Sequence, residues 1–367
     1  MNYYDELEKM QTIKFNPAIV PSDCICLYGA GALGQMAMDC MDLAGIEVSR
    51  IFDKEKTGNI NGVKIESLNN ITEDECSNIL LLVTICTLPY ESVVQYLQGY
   101  RFKQVMPFYT YAYLKFPQIL SNGWYINDMP NHIEDIRKIC EMLKHDDLSL
   151  HHYLSFLWWK CTGKEIIYHK FPILSQQKYF KSPNMIKISK LETFLDCGCH
   201  YGDTIKQFLE ITQGLYKQIY AFEPDISNLK VAMERFPNEE IIWDSRGLAD
   251  KSGSLYFCDG MGFASKLVDH GEQRIDVVSI DDLEIAPSII KIHVEGAEYS
   301  VLEGAYETIM RYRPFIMVFA DHSADGLYKI PNLVTQYKDY SLYFNYCDYC
   351  GNSAIFYMIP NERINEV

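Results

Sequence analysis

The sequence predicts an α/β protein built from two Rossmann-like domains that are joined by a helical segment. At 367 residues, the chain has the length of two ordinary globular domains. Short apolar runs alternate with stretches of helical periodicity, as expected for parallel strands joined by crossover helices. This alternation occurs twice, and each time a glycine-containing turn follows the first strand. The predicted bounds are 1–115 for the N-terminal domain, 116–180 for the helical connector and 181–367 for the C-terminal domain.

Composition narrows the classes of partner. Hydrophobic residues make up 48% and charged residues 22% of the chain, which is typical of folded soluble proteins. A formal net charge of −16 repels phosphate backbones, so no nucleic-acid partner is expected. The N-terminus lacks a basic region followed by an apolar stretch, and no apolar run is long enough to span a membrane. We therefore expect a cytoplasmic protein.

The sequence gives no reason to expect a metal. Twelve cysteines without an export signal are expected to be reduced thiols. Cys347 and Cys350 have ligand-type spacing but lack a second pair. The adjacent His151 and His152 point to different sides of a helix and are interpreted as surface or interface residues.

The N-terminal domain carries a dinucleotide-type turn. The predicted elements are a strand at Cys24–Tyr28, a helix ending at Ala44, strands at Glu47–Phe52, Asn78–Ile85 and Gln104–Met106, and a helix that begins at Pro89. Between the first strand and the first helix lies Gly29-x-Gly31-x-x-Gly34, and Asp53 ends the next strand. This spacing is typical of nucleotide binding. The domain lacks a recognisable hydride-transfer pair.

The connector and the C-terminal domain also show helical and strand patterns. Apolar residues between Asn131 and Lys160 recur at helical spacing, which predicts two helices, with Trp158 and Trp159 as packing residues. Further on, strands are predicted at Thr193–Asp196, Ile219–Phe222, Ile241–Trp243, Asp276–Ile280, Ile289–Val294, Pro314–Phe319, Ser341–Tyr346 and Ala354–Ile359, with helices at Ile226–Phe236 and around Val301, Leu302, Ala305 and Ile309. The final strand pair, with no long helix between, fits the seven-stranded sheet of class I methyltransferases better than a dehydrogenase sheet.

The C-terminal turn predicts a nucleoside-containing cofactor. Asp196-Cys-Gly-Cys-His-Tyr-Gly202 places glycines where the chain leaves a strand and enters a helix. Glu223 ends the next strand, where a carboxylate can accept both ribose hydroxyls. The turn lacks the three-glycine spacing of pyrophosphate sites, and Asp196 disfavours an anionic ligand. These features favour the cationic S-adenosylmethionine over NAD.

The same half of the chain resembles the FkbM family of S-adenosylmethionine-dependent methyltransferases from about Gln177 to Met358. The resemblance is carried by Phe194–Gly202 with Asp203 and Thr204, Ala221–Asp225, Ser279–Leu283, Ile290–Glu298 and Leu302–Gly304. It implies that Asp196, Gly198 and Glu223 hold the cofactor, with Asp244 beside the adenine. The other cofactor candidates within the two motifs are Cys199, Gly202, Asp203 and Pro224.

One departure from the family pattern concerns catalysis. His293 stands where the family usually has aspartate, and the next strand is followed by Ala320-Asp321-His322. Carboxyl ends of adjacent parallel strands are where open α/β sheets bind ligands. We therefore expect His293 or His322 to act as the base, with Glu295 and Glu298 orienting polyol hydroxyls. The alternative is structural: His293 caps a strand and Glu298 caps the next helix.

These resemblances imply O-methylation of a sugar, polyol or glycan acceptor during polysaccharide or secondary-metabolite biosynthesis. The N-terminal domain resembles Rossmann-like domains of polysaccharide-biosynthesis enzymes, which implies a second site for a nucleotide or nucleotide-sugar at Gly29, Gly31, Gly34 and Asp53. The pattern is also compatible with a homo-oligomer. Two alternatives stay open: an NAD- or nucleotide-sugar-dependent oxidoreductase that uses the N-terminal domain, and a non-catalytic two-domain binding or assembly protein.

Overall fold

The computed structural model describes residues 3–120, 123–126, 129–182, 186, 188–189, 191–258, 266–268 and 273–364. The chain divides into two compact units. The first unit contains Met1–Asn131, Leu154–Gln176 and Asp348–Asn352, and the second contains His132–Tyr153, Gln177–Cys347 and Ser353–Val367. The helical segment that the sequence predicts as a connector is divided between the two units.

The first unit contains a six-stranded sheet. Its strands are β1 (Cys24–Tyr28), β2 (Arg50–Phe52), β3 (Asn59–Ile60), β4 (Val63–Glu66), β5 (Ile79–Val83) and β6 (Gln104–Pro107). Its helices are α1 (Tyr3–Thr12), α2 (Ala32–Leu43), α3 (Glu73–Cys76), α4 (Tyr90–Leu97) and α5 (Phe108–Lys115). The strand order is β3-β4-β2-β1-β5-β6, and every pairing except β3 with β4 is parallel. Alternate residues of β5 pack into two apolar clusters, so the strand needs an almost uninterrupted apolar sequence.

Two long helices follow, as the periodicity predicts: α6 (Met129–Leu143) and α7 (Asp147–Thr162). Trp159 packs in the core of the first unit, which confirms its predicted packing role. His152, which the sequence predicts at the surface or in an interface, does not lie at the surface. Its side chain is fully buried, and Nδ1 accepts a 3.2 Å hydrogen bond from the N–H of Tyr346, so the imidazole replaces water as a backbone partner. Among the described residues, no helix has the length and apolar character required to cross a membrane.

The second unit contains the predicted seven-stranded sheet. The strands of this part of the chain, which form that sheet and a smaller one, are β7 (Thr193–Cys197), β8 (Gln218–Phe222), β9 (Ile241–Asp244), β10 (Gly247–Leu248), β11 (Gly253–Cys258), β12 (Lys266–Val268), β13 (Gln273–Val278), β14 (Ile289–Ile292), β15 (Phe315–Phe319), β16 (Tyr340–Asp348) and β17 (Asn352–Pro360). Its other helices are α8 (Asp203–Thr212), α9 (Ile226–Arg235), α10 (Glu298–Glu303), α11 (Tyr306–Tyr312) and α12 (Gly326–Asn332). The large sheet has the order β16-β17-β15-β14-β7-β8-β9, with β17 antiparallel to β15. This arrangement confirms the predicted fold class.

Two details of the second unit differ from the predictions. The predicted strand Asp276–Ile280 corresponds to β13, which lies in a separate four-stranded sheet of order β10-β13-β11-β12. The helix predicted around Val301–Ile309 is interrupted between α10 and α11. At Gly304 a Cβ atom would lie 2.3 Å from the carbonyl oxygen of Ala249, and the Gly304 carbonyl accepts a hydrogen bond from Asp281 N–H. The close backbone approach and this outside partner explain the break.

Candidate active site

The turn after β7 depends on two glycines. Gly198 has φ +79°, and a Cβ atom there would lie only 1.9 Å from the carbonyl oxygen of His293. Gly202 also has φ +79°, and its Cβ would lie 2.5 Å from Phe236 Cε2. Both positions combine a left-handed backbone with a crowded neighbour, and glycine satisfies both. The first glycine places the turn directly against the residue that follows β14.

Glu223 is held in place by the same turn. Its Oε2 accepts a 2.9 Å hydrogen bond from His200 N–H, and its Oε1 accepts a 3.0 Å bond from Asp225 N–H. Burial raises the pKa of this carboxyl to about 7, although both backbone bonds favour the ionised form. Since a carboxylate offers about four acceptor positions, each oxygen retains capacity for another donor. The arrangement therefore suits a ligand that presents two adjacent hydroxyls.

Asp196 has a buried cationic partner that the sequence interpretation did not assign. Its Oδ1 lies 2.9 Å from Lys291 Nζ, and both side chains are almost completely buried. Burial raises the pKa of Asp196, while Lys291 opposes that shift. Lys291 Nζ also donates to the carbonyl oxygen of Gly198. Lys291 therefore neutralises the charge of Asp196, and the ion pair stabilises the turn through the Gly198 carbonyl. The charge of Asp196 alone is no argument for a cationic ligand.

The remaining predicted cofactor residues have different environments. Cys199 is buried in the apolar core, and burial raises its thiol pKa well above the usual value. Asp203 is exposed at the start of α8 and lies 2.8 Å from Arg235. Pro224 is partly buried beside Glu223. Asp244 ends β9 opposite the end of β8, and both of its carboxylate oxygens accept hydrogen bonds from Arg246.

Two histidines and a glutamate converge beyond the neighbouring strands β14 and β15. The imidazole of His293 stacks on Phe319 with ring centroids 3.9 Å apart. His293 Nε2 lies 3.1 Å from Glu295 Oε1, and His322 Nε2 lies 3.3 Å from Glu295 Oε2. We call His293, Glu295 and His322 the His–Glu–His cluster. Its donor atoms all lie within 4.8 Å of one another.

Further side chains orient the cluster through the opposite imidazole nitrogens. The Tyr179 hydroxyl lies 2.6 Å from His293 Nδ1, and Glu298 Oε1 lies 2.7 Å from His322 Nδ1. The Glu298 carboxylate also accepts hydrogen bonds from the N–H groups of Val294 and Gly296. Glu298 is the first residue of α10 and is 3% exposed. In this position Glu298 stabilises the loop and orients His322. These contacts correspond to the structural alternative and not to a role at an acceptor hydroxyl.

The two histidines differ in their protonation. Burial opposes charge on His322, but the Glu295 and Glu298 carboxylates outweigh it and raise the imidazole pKa to about 10. Burial, with His322 and Lys291 nearby, lowers the pKa of His293 well below its usual value. At neutral pH, His322 is therefore an imidazolium and His293 is neutral. This difference does not fit His322 as a free general base.

Two residues of this site carried no role in the sequence interpretation. Lys291 lies within the family segment Ile290–Glu298, but the sequence gives no sign that it pairs with Asp196. Tyr179 lies outside all the quoted motif segments, at the start of the short 3₁₀ helix Tyr179–Lys181 before β7, and its contact with His293 joins residues 114 positions apart. Only the three-dimensional structure reveals it.

In the first unit the predicted nucleotide turn is also preorganised. Gly29 has φ +114°, and a Cβ at Gly34 would lie 2.2 Å from the carbonyl oxygen of Gly29. Asp53 Oδ2 accepts a 2.7 Å hydrogen bond from Ala30 N–H, while its other oxygen accepts from two later backbone N–H groups. Gly31 is the N-cap residue of α2 and has open space around its Cβ position. Asp53 therefore repeats the relation of Glu223 to its turn.

The second unit thus combines an α/β sheet with a glycine turn after β7, a buried carboxylate after β8, and titratable groups after the neighbouring strands β14 and β15. Residues 196–349 match the family described as the methyltransferase FkbM domain, which supports a methyltransferase function. A search of curated proteins finds no match.

Among solved structures, the chain is similar to the methyltransferase FkbM from Methylobacillus flagellatus KT. The identity is 18%, the TM-score is 0.69, and the match covers 97% of this chain and 98% of that one, which shows a shared fold. Weaker matches include a SAM-dependent O-methyltransferase from Thermotoga maritima (8% identity, coverage 50% and 64%, TM-score 0.32) and an rRNA methylase from Streptococcus thermophilus (12% identity, coverage 47% and 90%, TM-score 0.31). At that level of similarity they carry no argument.

Proposed function

We propose that this protein is an S-adenosylmethionine-dependent O-methyltransferase that acts on a hydroxyl of a sugar, polyol or glycan. The observation that carries the proposal is the position of Glu223, fixed by backbone N–H groups on both sides and adjacent to the Gly198 turn. The methyltransferase domain match over residues 196–349 supports the reaction class. The cytoplasm and polysaccharide or secondary-metabolite biosynthesis are the proposed setting.

In this proposal Glu223 accepts hydrogen bonds from the ribose hydroxyls of the cofactor, and the turn from Gly198 to Gly202 packs against it. The ion pair between Asp196 and Lys291 keeps that turn in place by holding the Gly198 carbonyl. Asp244 lies at the end of the adjacent strand, where the base of the nucleoside would follow the ribose. The bound cofactor supplies an electrophilic sulfonium methyl group.

The acceptor hydroxyl is proposed to lie beside the His–Glu–His cluster, beyond the turn. In methyl transfer, a C–O bond forms as the C–S bond breaks, and the hydroxyl proton has to leave. His322 is already protonated at neutral pH, so it cannot receive that proton. His293 is neutral and its side chain is partly exposed, which makes it the better placed of the two predicted bases when the cluster holds no ion.

Transfer of a radiolabelled methyl group from S-adenosylmethionine to a panel of sugars, polyols and glycans tests the function. We expect labelled product with the wild type, and a loss of at least tenfold in kcat/KM for Glu223→Gln, about the value of one or two hydrogen bonds to a charged group. The exposed Glu234→Gln on α9 is the matched control and should retain wild-type activity. Cofactor binding without transfer to any acceptor would instead favour a non-catalytic binding or assembly protein.

A second candidate activity belongs to the first unit. We propose that it binds a nucleotide or nucleotide-sugar, because Asp53 and Ala30 N–H repeat the arrangement of Glu223 and His200 N–H. Saturation-transfer NMR with NAD, coenzyme A and UDP-sugars tests this proposal, with Asp53→Ala as the comparison. Absence of signal for every ligand would remove it. Tight NAD binding without S-adenosylhomocysteine binding would favour the oxidoreductase alternative.

A further inference from the structure

We infer that His293, Glu295 and His322 bind a divalent first-row transition-metal ion, and that the acceptor hydroxyl completes its coordination. This site departs from the sequence-based expectation that the protein holds no metal. The role of the ion in catalysis rests on the proposed function, whereas the binding site itself stands on geometry alone.

The spacing of the donor atoms is the first argument. Metal–ligand bonds of about 2.0–2.1 Å place neighbouring ligand atoms roughly 2.9–3.4 Å apart in tetrahedral or octahedral coordination. His293 Nε2 lies 3.1 Å from one Glu295 oxygen, and His322 Nε2 lies 3.3 Å from the other. Each imidazole thus lies at such a distance from a different oxygen of one carboxylate, and the donor atoms of all three residues lie within 4.8 Å of one another. Two histidines and one carboxylate are a recurrent set for zinc and non-haem iron.

The partners of the remote imidazole nitrogens are the second argument. Metal-bound histidines almost always donate their other ring N–H to an acceptor, which fixes the tautomer and ring orientation. Glu298 accepts from His322 Nδ1 at 2.7 Å, and the Tyr179 hydroxyl lies 2.6 Å from His293 Nδ1. In the metal-bound state that we propose, the protons lie on Nδ1, the Nε2 proton of His322 is displaced, and both Nε2 lone pairs bind the ion.

Burial and charge form the third argument. The side chain of His322 is 3% exposed, whereas those of Glu295 and His293 are 22% and 29% exposed. The site is therefore closed on one side and open on the other, like metal sites that keep a position for substrate. The carboxylates of Glu295 and Glu298, which both contact His322, supply negative charge that a divalent cation balances. Hydrogen bonds from Val294 and Gly296 to Glu298 hold the loop that carries Glu295.

The chemistry of the ligand atoms also indicates which class of ion binds. Imidazole nitrogens suit Zn²⁺, Fe²⁺, Co²⁺ and related ions, whereas Mg²⁺ prefers an all-oxygen shell. An acceptor hydroxyl bound to such an ion becomes more acidic and loses its proton to water. Its oxygen then forms the C–O bond as the methyl group leaves sulfur, which keeps the electron pair as a thioether. In this state His293 is a ligand, and the ion replaces it as the group that promotes proton loss.

The test is a titration of the chelator-treated full-length protein with Co²⁺, followed by visible absorption and by calorimetry. We expect one tightly bound equivalent, no comparable binding of Mg²⁺, and at least tenfold weaker binding for His293→Ala and for His322→Ala. His145→Ala removes an exposed histidine of the same unit and should match the wild type. For Tyr179→Phe we expect about 10- to 100-fold weaker binding, which is typical for loss of an orienting partner.

S-adenosylhomocysteine affinity, measured on each variant, separates the two proposals. Weak Co²⁺ binding that is equal in the wild type, His293→Ala and His322→Ala would overturn the metal site, even if methyl transfer is demonstrated. Failure of S-adenosylhomocysteine to bind, together with intact Co²⁺ binding, would overturn the proposed function and leave the metal site. His293→Asn, at the more exposed position, serves as the ligand-deleting variant if His322→Ala fails to fold.

Discussion

Replacing Gly198 with alanine should destabilise the second unit and disturb both the glycine turn beside Glu223 and the loop that carries His293. The added Cβ would lie 1.9 Å from the His293 carbonyl oxygen, and φ is +79°. The left-handed conformation costs an alanine about 1–2 kcal/mol. Overpacking adds about 1–3 kcal/mol, and here the obstacle is backbone, which cannot rotate away as a side chain does. We therefore expect a total loss of roughly 2–5 kcal/mol, a large part of the about 5–15 kcal/mol that stabilises a typical domain.

Gly214 offers a matched control for this variant. It has φ +71°, and no atom lies within 4 Å of its Cβ position, so Gly214→Ala carries the conformational cost without the overlap. Urea denaturation, followed by circular dichroism and by S-adenosylhomocysteine affinity, compares the two variants. Gly198→Ala should lose more stability than Gly214→Ala and should bind the ligand more weakly. Equal losses in both variants would refute the argument that the turn packs against the end of β14.

Three further predictions concern individual side chains. Because the pKa of Glu223 is about 7 and the ionised form accepts the ribose hydroxyls, S-adenosylhomocysteine affinity should fall about tenfold from pH 8 to pH 6 by calorimetry, and Glu223→Gln should flatten that dependence. Lys291→Met should cost about 3–5 kcal/mol in thermal unfolding by leaving Asp196 buried and unpaired, and the added change Asp196→Asn should recover part of it. His293→Ala should lower kcat by about 10²- to 10⁴-fold in single-turnover transfer assays while S-adenosylhomocysteine affinity stays within twofold; undiminished turnover would contradict its role at the reacting centre.

The fold was predictable where local sequence determines burial. Strands such as β5 and β15 are continuous apolar runs because both faces of a parallel sheet are covered. The interruption between α10 and α11 was not predictable, since it depends on the distant carbonyl of Ala249. The same reason explains β13, whose apolar pattern indicates a strand but does not specify which sheet it joins.

The site was predictable to the extent that chain position determines it. Residues at the carboxyl ends of parallel strands meet at one edge, so Glu223, His293 and His322 could be selected from their spacing. Their partners could not, because side-chain pairing depends on tertiary geometry. Lys291 pairs with Asp196, and the Glu295 and Glu298 carboxylates raise the pKa of His322, so the structure adds partners that the sequence does not reveal.

The most direct test of the central claim is calorimetric titration of the wild type and Glu223→Ala with S-adenosylhomocysteine. The account predicts one site per chain in the wild type, and affinity at least tenfold lower in the variant because two ribose hydroxyls lose their charged acceptor. Unaltered affinity in Glu223→Ala would contradict the assignment of this carboxylate, and absence of binding to the wild type would contradict the proposed cofactor.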